Sequence, residues 1–298
     1  MIVLSNRVLN IPKSQHIYAF NPDKQPVQQA KAKDVVVFDA EDAFGGQIES
    51  EQDTMDELDF DHINPATGPL AVEGAEPGDA LVVKILDLKV GQKGIVLSVP
   101  GSGALAEEVP NSVTRIVEIK EDWIEFAPGI RLPKRPMLGV IGVAPSEGNI
   151  PCGTPGPHGG NMDTKEITAG TTLYLPVRTP GGLLAMGDAH ALQGDGEICG
   201  TAVECSVSAT VQVDIEKGSP IEWPWLRNDE KLMVIVSAET LDAASKQATR
   251  QMVRHLVDSC GMTFDEAYML TSCVGSLNIS QIVDPLVTVR AEFPRQYL

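Results

Sequence analysis

The feature that most constrains the fold of this chain is a series of short apolar runs, each broken after a few residues by glycine or proline. Residues 35–38 and 80–85 are two such runs, and residues 113–119 alternate apolar and polar side chains. Clean helical periodicity is scarce before residue 220, where many of the 27 glycines and 21 prolines fall. Strands this short and frequent predict a mainly β fold, with a β-sandwich or jelly-roll-like body over residues 1–220.

The C-terminal part follows a different pattern. Apolar residues recur in steps of three and four from residue 240 to about residue 259, which predicts an amphipathic helix that ends at Gly261. Thr263 and Glu266 have the spacing of a capping box and predict the start of a second helix. Strand character returns in residues 283–291. Residues 221–298 are therefore predicted to be an α/β C-terminal part that completes the fold.

Charge and cysteine content exclude several classes of protein. Asp and Glu number 41 against 23 Lys and Arg, and no dense basic cluster offers a surface for nucleic acid. No apolar run is long enough for a transmembrane helix, so a membrane is not an expected partner. The five cysteines are scattered without a C-x-x-C pair, which argues against a disulfide framework. We expect a reduced, cytoplasmic enzyme.

One unusual stretch, residues 151–163, is rich in proline and glycine and poor in apolar side chains. Prolines stiffen such a loop and glycines allow close approach of its backbone. The loop is therefore suited to present His158, Asn161 and Asp163 to a cleft. The alternative is a surface turn in which the histidine has no role.

A second stretch, residues 186–197, contains Asp188 and His190. Residues two apart on a strand share one face, with Cα atoms ~6.5–7 Å apart, so the carboxylate and the imidazole can converge on one metal ion or hydrogen-bond to each other. The alternative is a solvated strand with an ordinary histidine. Asp195 and Gly196 predict a two-residue hairpin turn.

That turn would fix the register of the hairpin. His190 would then face Thr201, Glu204 would lie on the opposite face, and Glu197 would lie ~13 Å along the strand from His190. Glu197 stays a candidate general base on the condition that a ligand lies toward the turn.

Two acidic segments complete the candidates. Asp42 and Gln47 follow an apolar strand and a turn, where a site could form. The next segment, residues 49–61, carries seven acidic residues and offers oxygen ligands for calcium, although it lacks EF-hand spacing. A solvated acidic loop is the alternative for both.

Several of these motifs, together with two motifs at residues 64–69 and 72–79, resemble the acetamidase/formamidase family over most of the chain. The matching motifs are NPATGP at residues 64–69, VEGAEPGD at 72–79, PHGGNMD at 157–163, GDAHALQGDGE at 187–197 and GTAVE at 200–204. The resemblance implies hydrolysis of a short aliphatic amide, of formamide or acetamide type, to a carboxylate and ammonia. It also implies a β-rich fold, a divalent metal with zinc as the expected ion, and a homo-oligomer.

Our principal hypothesis is metal-assisted amide hydrolysis, because a zinc ion can lower the pKa of a bound water to about 7 and polarise an amide carbonyl. It requires the imidazoles of His158 and His190 to meet beside acidic groups. The expected ligands are Asp42, His158, Asp188 and His190, the expected base is Glu197 or, less favoured, Asp195, and the expected amide-binding side chains are Gln47, Asn161 and Gln193.

Two alternatives remain open from the sequence. Cys152 lies beside the stiff loop and could act as a nucleophile with His158 in an amidase that needs no metal. The β body could also be a non-catalytic module that binds a sugar or small metabolite and uses acidic loops to hold calcium.

Overall fold

The structure is a computed structural model that describes residues 7–298, so residues 1–6 of the predicted body lie outside the described residues. The described part contains two α-helices, α1 (Leu241–Cys260) and α2 (Phe264–Val274). Short 3-10 helices cover Met55–Glu57, Phe60–His62 and Arg295–Tyr297. The strands are β1 (Val8–Ile11), β2 (His16–Ile17), β3 (Ala19–Phe20), β4 (Gln28–Ala30), β5 (Val35–Ala40), β6 (Ala66–Val72), β7 (Ala80–Val90), β8 (Lys93–Ser98), β9 (Val113–Ile119), β10 (Trp123–Ala127), β11 (Ile130–Pro133), β12 (Met137–Gly142), β13 (Ile150–Pro151), β14 (Gly159–Asn161), β15 (Thr172–Pro176), β16 (Leu184–His190), β17 (Glu204–Cys205), β18 (Val207–Glu216), β19 (Trp225–Arg227), β20 (Lys231–Ala238), β21 (Ser276–Gln281) and β22 (Val287–Pro294).

The prediction of a mainly β fold is confirmed. One sheet has nine strands in the order β1-β5-β18-β7-β15-β19-β20-β22-β21, and the other has eleven strands. The main core lies between them: Phe38 and Val83 come from the nine-stranded sheet, and Ile141 and Met186 from the other. All four side chains are fully buried, which gives the body the layered architecture of a sandwich.

The C-terminal part extends the nine-stranded sheet. Strands β19 to β22 follow β15 at its edge, so the expected boundary near residue 220 falls between two strands of one sheet. Helix α1 packs its predicted apolar stripe on β20 and β22 and forms a second core. The predicted helix signals are confirmed: Gly261 ends α1 in the left-handed conformation, and Thr263 and Glu266 form the capping box of α2.

In the eleven-stranded sheet, β16 lies between β12 and β17. His190 at the end of β16 therefore has Met137 of β12 on one side and Glu204 of β17 on the other. The predicted two-residue hairpin is wrong, because residues 191–203 leave the sheet and dock on β21. There the Gly196 N–H donates to the Ser280 carbonyl at 3.0 Å.

Among residues 7–298, helices of the length and apolarity that membrane crossing requires are absent.

Candidate active site

A buried acidic cluster surrounds His190, whose side chain is 1% exposed. Its members come from segments far apart in the sequence: the loop after β14, strands β16 and β17, the 191–203 connection, and the turn between β21 and β22. The name acidic cluster is used below for the carboxyl groups of Asp163, Asp188, Glu197, Glu204 and Asp284.

The His190 imidazole is the centre of this cluster. Its Nε2 atom lies 2.9 Å from Glu204 Oε2, 3.2 Å from Asp188 Oδ1 and 3.8 Å from Asp163 Oδ1. Two sets of three residues each offer ligand atoms that lie within 4.8 Å of one another. One set is Asp188, His190 and Glu204, and the other is Asp163, His190 and Glu197. Both sets fit the spacing of protein groups around a metal ion.

Gln193 determines which imidazole nitrogen faces the acidic cluster. Its Nε2 group donates to the carbonyl oxygens of Asp163 at 2.6 Å and Ser280 at 3.2 Å. Its Oε1 atom therefore accepts from His190 Nδ1, 2.9 Å away. With the proton on Nδ1, the Nε2 lone pair points at the carboxylates, which is the arrangement a metal-ligating histidine needs.

Several buried oxygens of the site have no hydrogen-bond partner among residues 7–298. They include Oδ1 of Asp163, Oε2 of Glu197, Oδ2 of Asp284 and Oδ1 of Asn161. Buried carboxylates this close together are stable only if they share protons or surround a cation, because each charge is taken out of water beside others of the same sign. The donor set of one imidazole and several carboxylates suits a divalent metal such as zinc.

The same crowding shifts the pKa values of the acidic cluster and of His190. Burial, reinforced by neighbouring carboxylates, raises the pKa of Asp163 to about 7 and that of Glu204 to about 8. Burial and the Asp163 charge also raise the pKa of Glu197 well above its ordinary value. Burial alone would lower the pKa of His190, but the charges of Glu204 and Asp188 outweigh it and raise that pKa.

The backbone is strained at three members of the acidic cluster. Asp163, Asp188 and Glu197 have φ values of 40°, 48° and 47°. They are three of the six non-glycine residues with positive φ in the described part of the chain. Such conformations cost about 1–3 kcal/mol each and concentrate at functional sites, where surrounding contacts enforce them.

Gly139 on β12 provides the space for two of these carboxylates. A Cβ atom at this position would overlap Oδ1 of Asp163 and lie 2.9 Å from Oδ2 of Asp188. Only a glycine lets both carboxyl groups lie over the strand at this point.

The structure does not bring His158 to His190. The His158 carbonyl accepts from the N–H of Val143, just after the end of β12, whereas His190 faces Met137 at the start of β12, six positions earlier. That offset is about 20 Å. The His158 ring packs edge-on against Phe20, and burial lowers its pKa to about 4. The expectation that the two imidazoles meet is therefore wrong: β14 runs antiparallel to β12, so this loop brings Asp163 to the cluster and leaves His158 at the far end.

Asp42 and Gln47 also lie outside both ligand sets. Asp42 Oδ1 accepts from the N–H groups of Phe44 and Gly46, so this carboxylate closes the turn that follows β5. Gln47 Oε1 accepts from the Asp59 N–H at 2.8 Å and holds the next loop. Local turn hydrogen bonds account for both polar side chains, which corrects their expected roles as ligand and amide contact.

Of the other predicted site residues, some belong to the acidic cluster or contact it, and Asp195 does not. Glu197 lies in the cluster, and Asn161 Nδ2 donates to Asp284 Oδ1 at 3.3 Å. Asp195 instead pairs with the buried Arg290 and with Lys165, each at 2.8 Å. Burial would raise the Asp195 pKa, but both cations together lower it, which makes this carboxylate a poor base.

Cys152 lacks the properties of a nucleophile. It is fully buried, and burial raises the pKa of its thiol to about 12, whereas a reactive cysteine needs a lowered pKa. The alternative built on this residue loses its chemical basis.

The acidic segment 49–61 contributes to neither ligand set found among the described residues. Its carboxylates hold the segment itself: Asp53 accepts from the N–H groups of Glu49 and Ser50, and Asp59 pairs with His62. These contacts match a solvated loop, so the calcium expected there has no support.

Glu204 and Asp284 are the residues that the sequence did not predict. Glu204 was excluded by the wrong hairpin register, although it ends the GTAVE motif. Asp284 lies 94 positions from His190 in the chain, and no local pattern connects the two. Asp163 was noted in the stiff loop but was not expected to be a ligand.

The chain matches the model of the Acetamidase/Formamidase family over residues 7–152 and 149–296. The structure superposes on the crystal structure of an acetamidase from Bacillus halodurans with a TM-score of 0.95 and 44% identity, covering 97% of this chain and 98% of that one. It superposes on an acetamidase from Yersinia enterocolitica with a TM-score of 0.94 and 35% identity, covering 99% and 94%.

Among curated proteins, a formamidase from Methylophilus methylotrophus is 28% identical over 258 residues, which cover 66% of this chain and 63% of the relative. The chain thus matches less than two thirds of the length of that relative.

Proposed function

The chain belongs to the Acetamidase/Formamidase family, and on this premise we propose that it is an amidase that hydrolyses a short linear amide to a carboxylate and ammonia. The observation that carries the proposal is the acidic cluster around the Nε2 atom of His190. A non-catalytic binding module would not need buried, strained carboxylates around one oriented imidazole.

We assign metal binding to Asp188, His190 and Glu204. These three lie on the paired strands β16 and β17, so their backbone positions are rigid. The donor set fits a divalent ion, with zinc as our proposed ion, which when bound would supply Lewis-acid polarisation of a carbonyl and a more acidic water. The Gln193 contact directs Nε2 of His190 toward the other two proposed ligands, Asp188 and Glu204.

Glu197 is our proposed general base. Its Oε2 atom is buried without a hydrogen-bond partner among the described residues, and Glu197 lies on a connection rather than in the sheet. It can take one proton from the attacking water and deliver it to the amide nitrogen, which must leave as ammonia. The raised pKa of its carboxyl group suits a residue that must hold that proton between the two steps.

Asn161 is our proposed contact for the amide. Its Nδ2 group is used by Asp284, which leaves the buried Oδ1 atom as an acceptor. An acceptor there can bind an N–H of the substrate and direct its nitrogen toward the acidic cluster.

The test combines ammonia release with metal analysis. We expect turnover of formamide or acetamide that a chelator abolishes and zinc restores. Glu204→Gln should lose bound metal, whereas Glu197→Gln should keep the metal and lose about 100-fold or more in kcat. His190→Ala should lose both metal and turnover.

His62→Ala is the matched histidine control, since His62 is exposed and pairs with Asp59. It should retain metal and rate. Normal metal content together with normal ammonia release in His190→Ala would overturn the proposal.

A further inference from the structure

The 191–203 connection encloses a surface cleft of about 290 Å³. It is lined on one side by this connection and on the other by Val96 of β8 and Phe126 of β10. The cleft is open to solvent, and one part of it reaches the acidic cluster.

Two lining residues connect the cleft to the acidic cluster and its neighbours. Gln193 and Glu197 both line it, and both are 6% exposed. The buried Oε2 atom of Glu197 has no hydrogen-bond partner in the described part of the chain. A ligand in the cleft therefore lies beside the proposed base, Glu197.

Apart from Asp195 and Thr201, the rest of the lining is apolar or small. Val96, Phe126, Leu192, Ile198 and Val203 form the walls. A ligand that fits should combine a small polar head beside Glu197 with an apolar tail against these walls, because the other carboxylate of the lining, Asp195, is already paired with Arg290 and Lys165.

The size of the cleft favours a tail longer than a methyl group. Its volume is about that of ten water molecules in the liquid, far more than formamide or acetamide needs. Burying such walls against a chain of methylenes is favourable, whereas a formyl or acetyl group would leave them in contact with water.

We propose that this cleft binds the acyl chain of the substrate, so that the preferred amides are those of longer unbranched carboxylic acids such as butanoic and hexanoic acid. The inference rests on the proposed amidase function and specifies its substrate class. The amide head lies toward Glu197, and the alkyl chain lies against Val96 and Ile198.

Gly194 offers a direct test of this assignment. It lines the cleft, its φ is not in the left-handed region, and a Cβ atom there meets nothing within 4 Å. Gly194→Leu can therefore place a side chain in the cleft without a backbone clash. Gly194→Ala is the smaller member of the same series.

The measurement is kcat/KM for formamide, acetamide, butanamide and hexanamide. In the wild-type protein we expect a rise of up to about fourfold for each methylene that is buried. Gly194→Leu should remove most of this rise, and Gly194→Ala should have a smaller effect. Ile198→Ala should reduce hexanamide turnover, whereas Ile130→Ala, an exposed isoleucine outside the cleft, should not.

The outcomes separate the two proposals. Turnover of acetamide with a kcat/KM that stays flat or falls with chain length would overturn the acyl-chain assignment and leave the amidase function standing. Absence of ammonia from every amide in the metal-loaded protein would overturn the amidase function itself. Calorimetry with acetate and hexanoate gives a second readout: hexanoate should bind more tightly to the wild-type protein, and Gly194→Leu should abolish the difference. Equal binding of both acids by the wild-type protein would contradict the assignment.

Discussion

The Nδ1–H group of His190 donates to Oε1 of Gln193 over 2.9 Å, and this contact turns the other ring nitrogen toward the acidic cluster. Because the Gln193 amide is itself fixed by two carbonyl oxygens, the orientation does not depend on a bound ligand. Gln193 is thus a positioning residue for the imidazole, although the sequence had suggested that it contacts the substrate.

Replacing Gln193 by methionine should weaken metal binding. The variant keeps the length of the side chain but leaves His190 Nδ1 without an acceptor, so the imidazole can turn or change tautomer. Loss of a group that orients a metal ligand costs about 10–100-fold in affinity. Titration of the metal-free protein with zinc measures the change. Gln92→Met is the control, since Gln92 is exposed. Equal zinc affinity in Gln193→Met and the wild-type protein would contradict the positioning role.

Gly139→Ala should disrupt the acidic cluster while leaving the sheet folded. The added methyl group occupies the space of Asp163 Oδ1 and lies 2.9 Å from both Oδ2 and the backbone carbonyl of Asp188, so the carboxylates and the neighbouring stretch of β16 must shift. Overpacking of this kind costs about 1–3 kcal/mol of stability. We expect a cooperative thermal transition at a lower temperature, together with reduced zinc binding. Unchanged zinc affinity and ammonia release would show that these carboxylates need not lie over Gly139.

Cys152→Ala should leave ammonia release close to the wild-type rate. The thiol is buried and its pKa is about 12, so it stays protonated near neutral pH. We expect a stability loss of about 1 kcal/mol from the removed sulfur. In the native protein, iodoacetamide should label the exposed Cys199 before Cys152. Loss of turnover in a folded Cys152→Ala variant that still binds metal would restore the nucleophile hypothesis.

Asp79 should make the stability of the fold depend on acid pH. The Lys217 ammonium, with help from the N–H groups of Gly218 and Glu76, lowers the pKa of Asp79 from 3.8 to about 2. Because the folded protein holds this proton less tightly than the unfolded chain, the contribution is complete above about pH 4 and is lost as the pH falls toward 2.

Asp79→Asn should therefore lower the free energy of unfolding at pH 7 by about 1–3 kcal/mol. The difference from the wild-type protein should shrink as urea titrations move from about pH 5 to about pH 3. Asp23→Asn, at an exposed position, should stay within about 0.5 kcal/mol of the wild type. A difference for Asp79→Asn that does not change with pH would exclude the carboxylate charge as its source.

The features that the sequence determined by itself depend on short-range periodicity and on local caps. The stripe of α1, its end at Gly261 and the capping box of α2 each involve residues within a few positions of one another, where helix geometry fixes the neighbours. The period of two along β16 likewise placed Asp188 and His190 on one face, and the structure brings both side chains into the acidic cluster.

Tertiary structure decided the remaining members of the site. Glu204 faces His190 because residues 191–203 dock on β21 instead of forming a tight turn, and a one-residue change in register would have moved it to the other face. Asp284 joins through the C-terminal extension of the sheet, and His158 is excluded by the direction of β14. Strand pairing and loop docking bring together residues distant in the chain, and no local propensity in one sequence encodes which pairs will form.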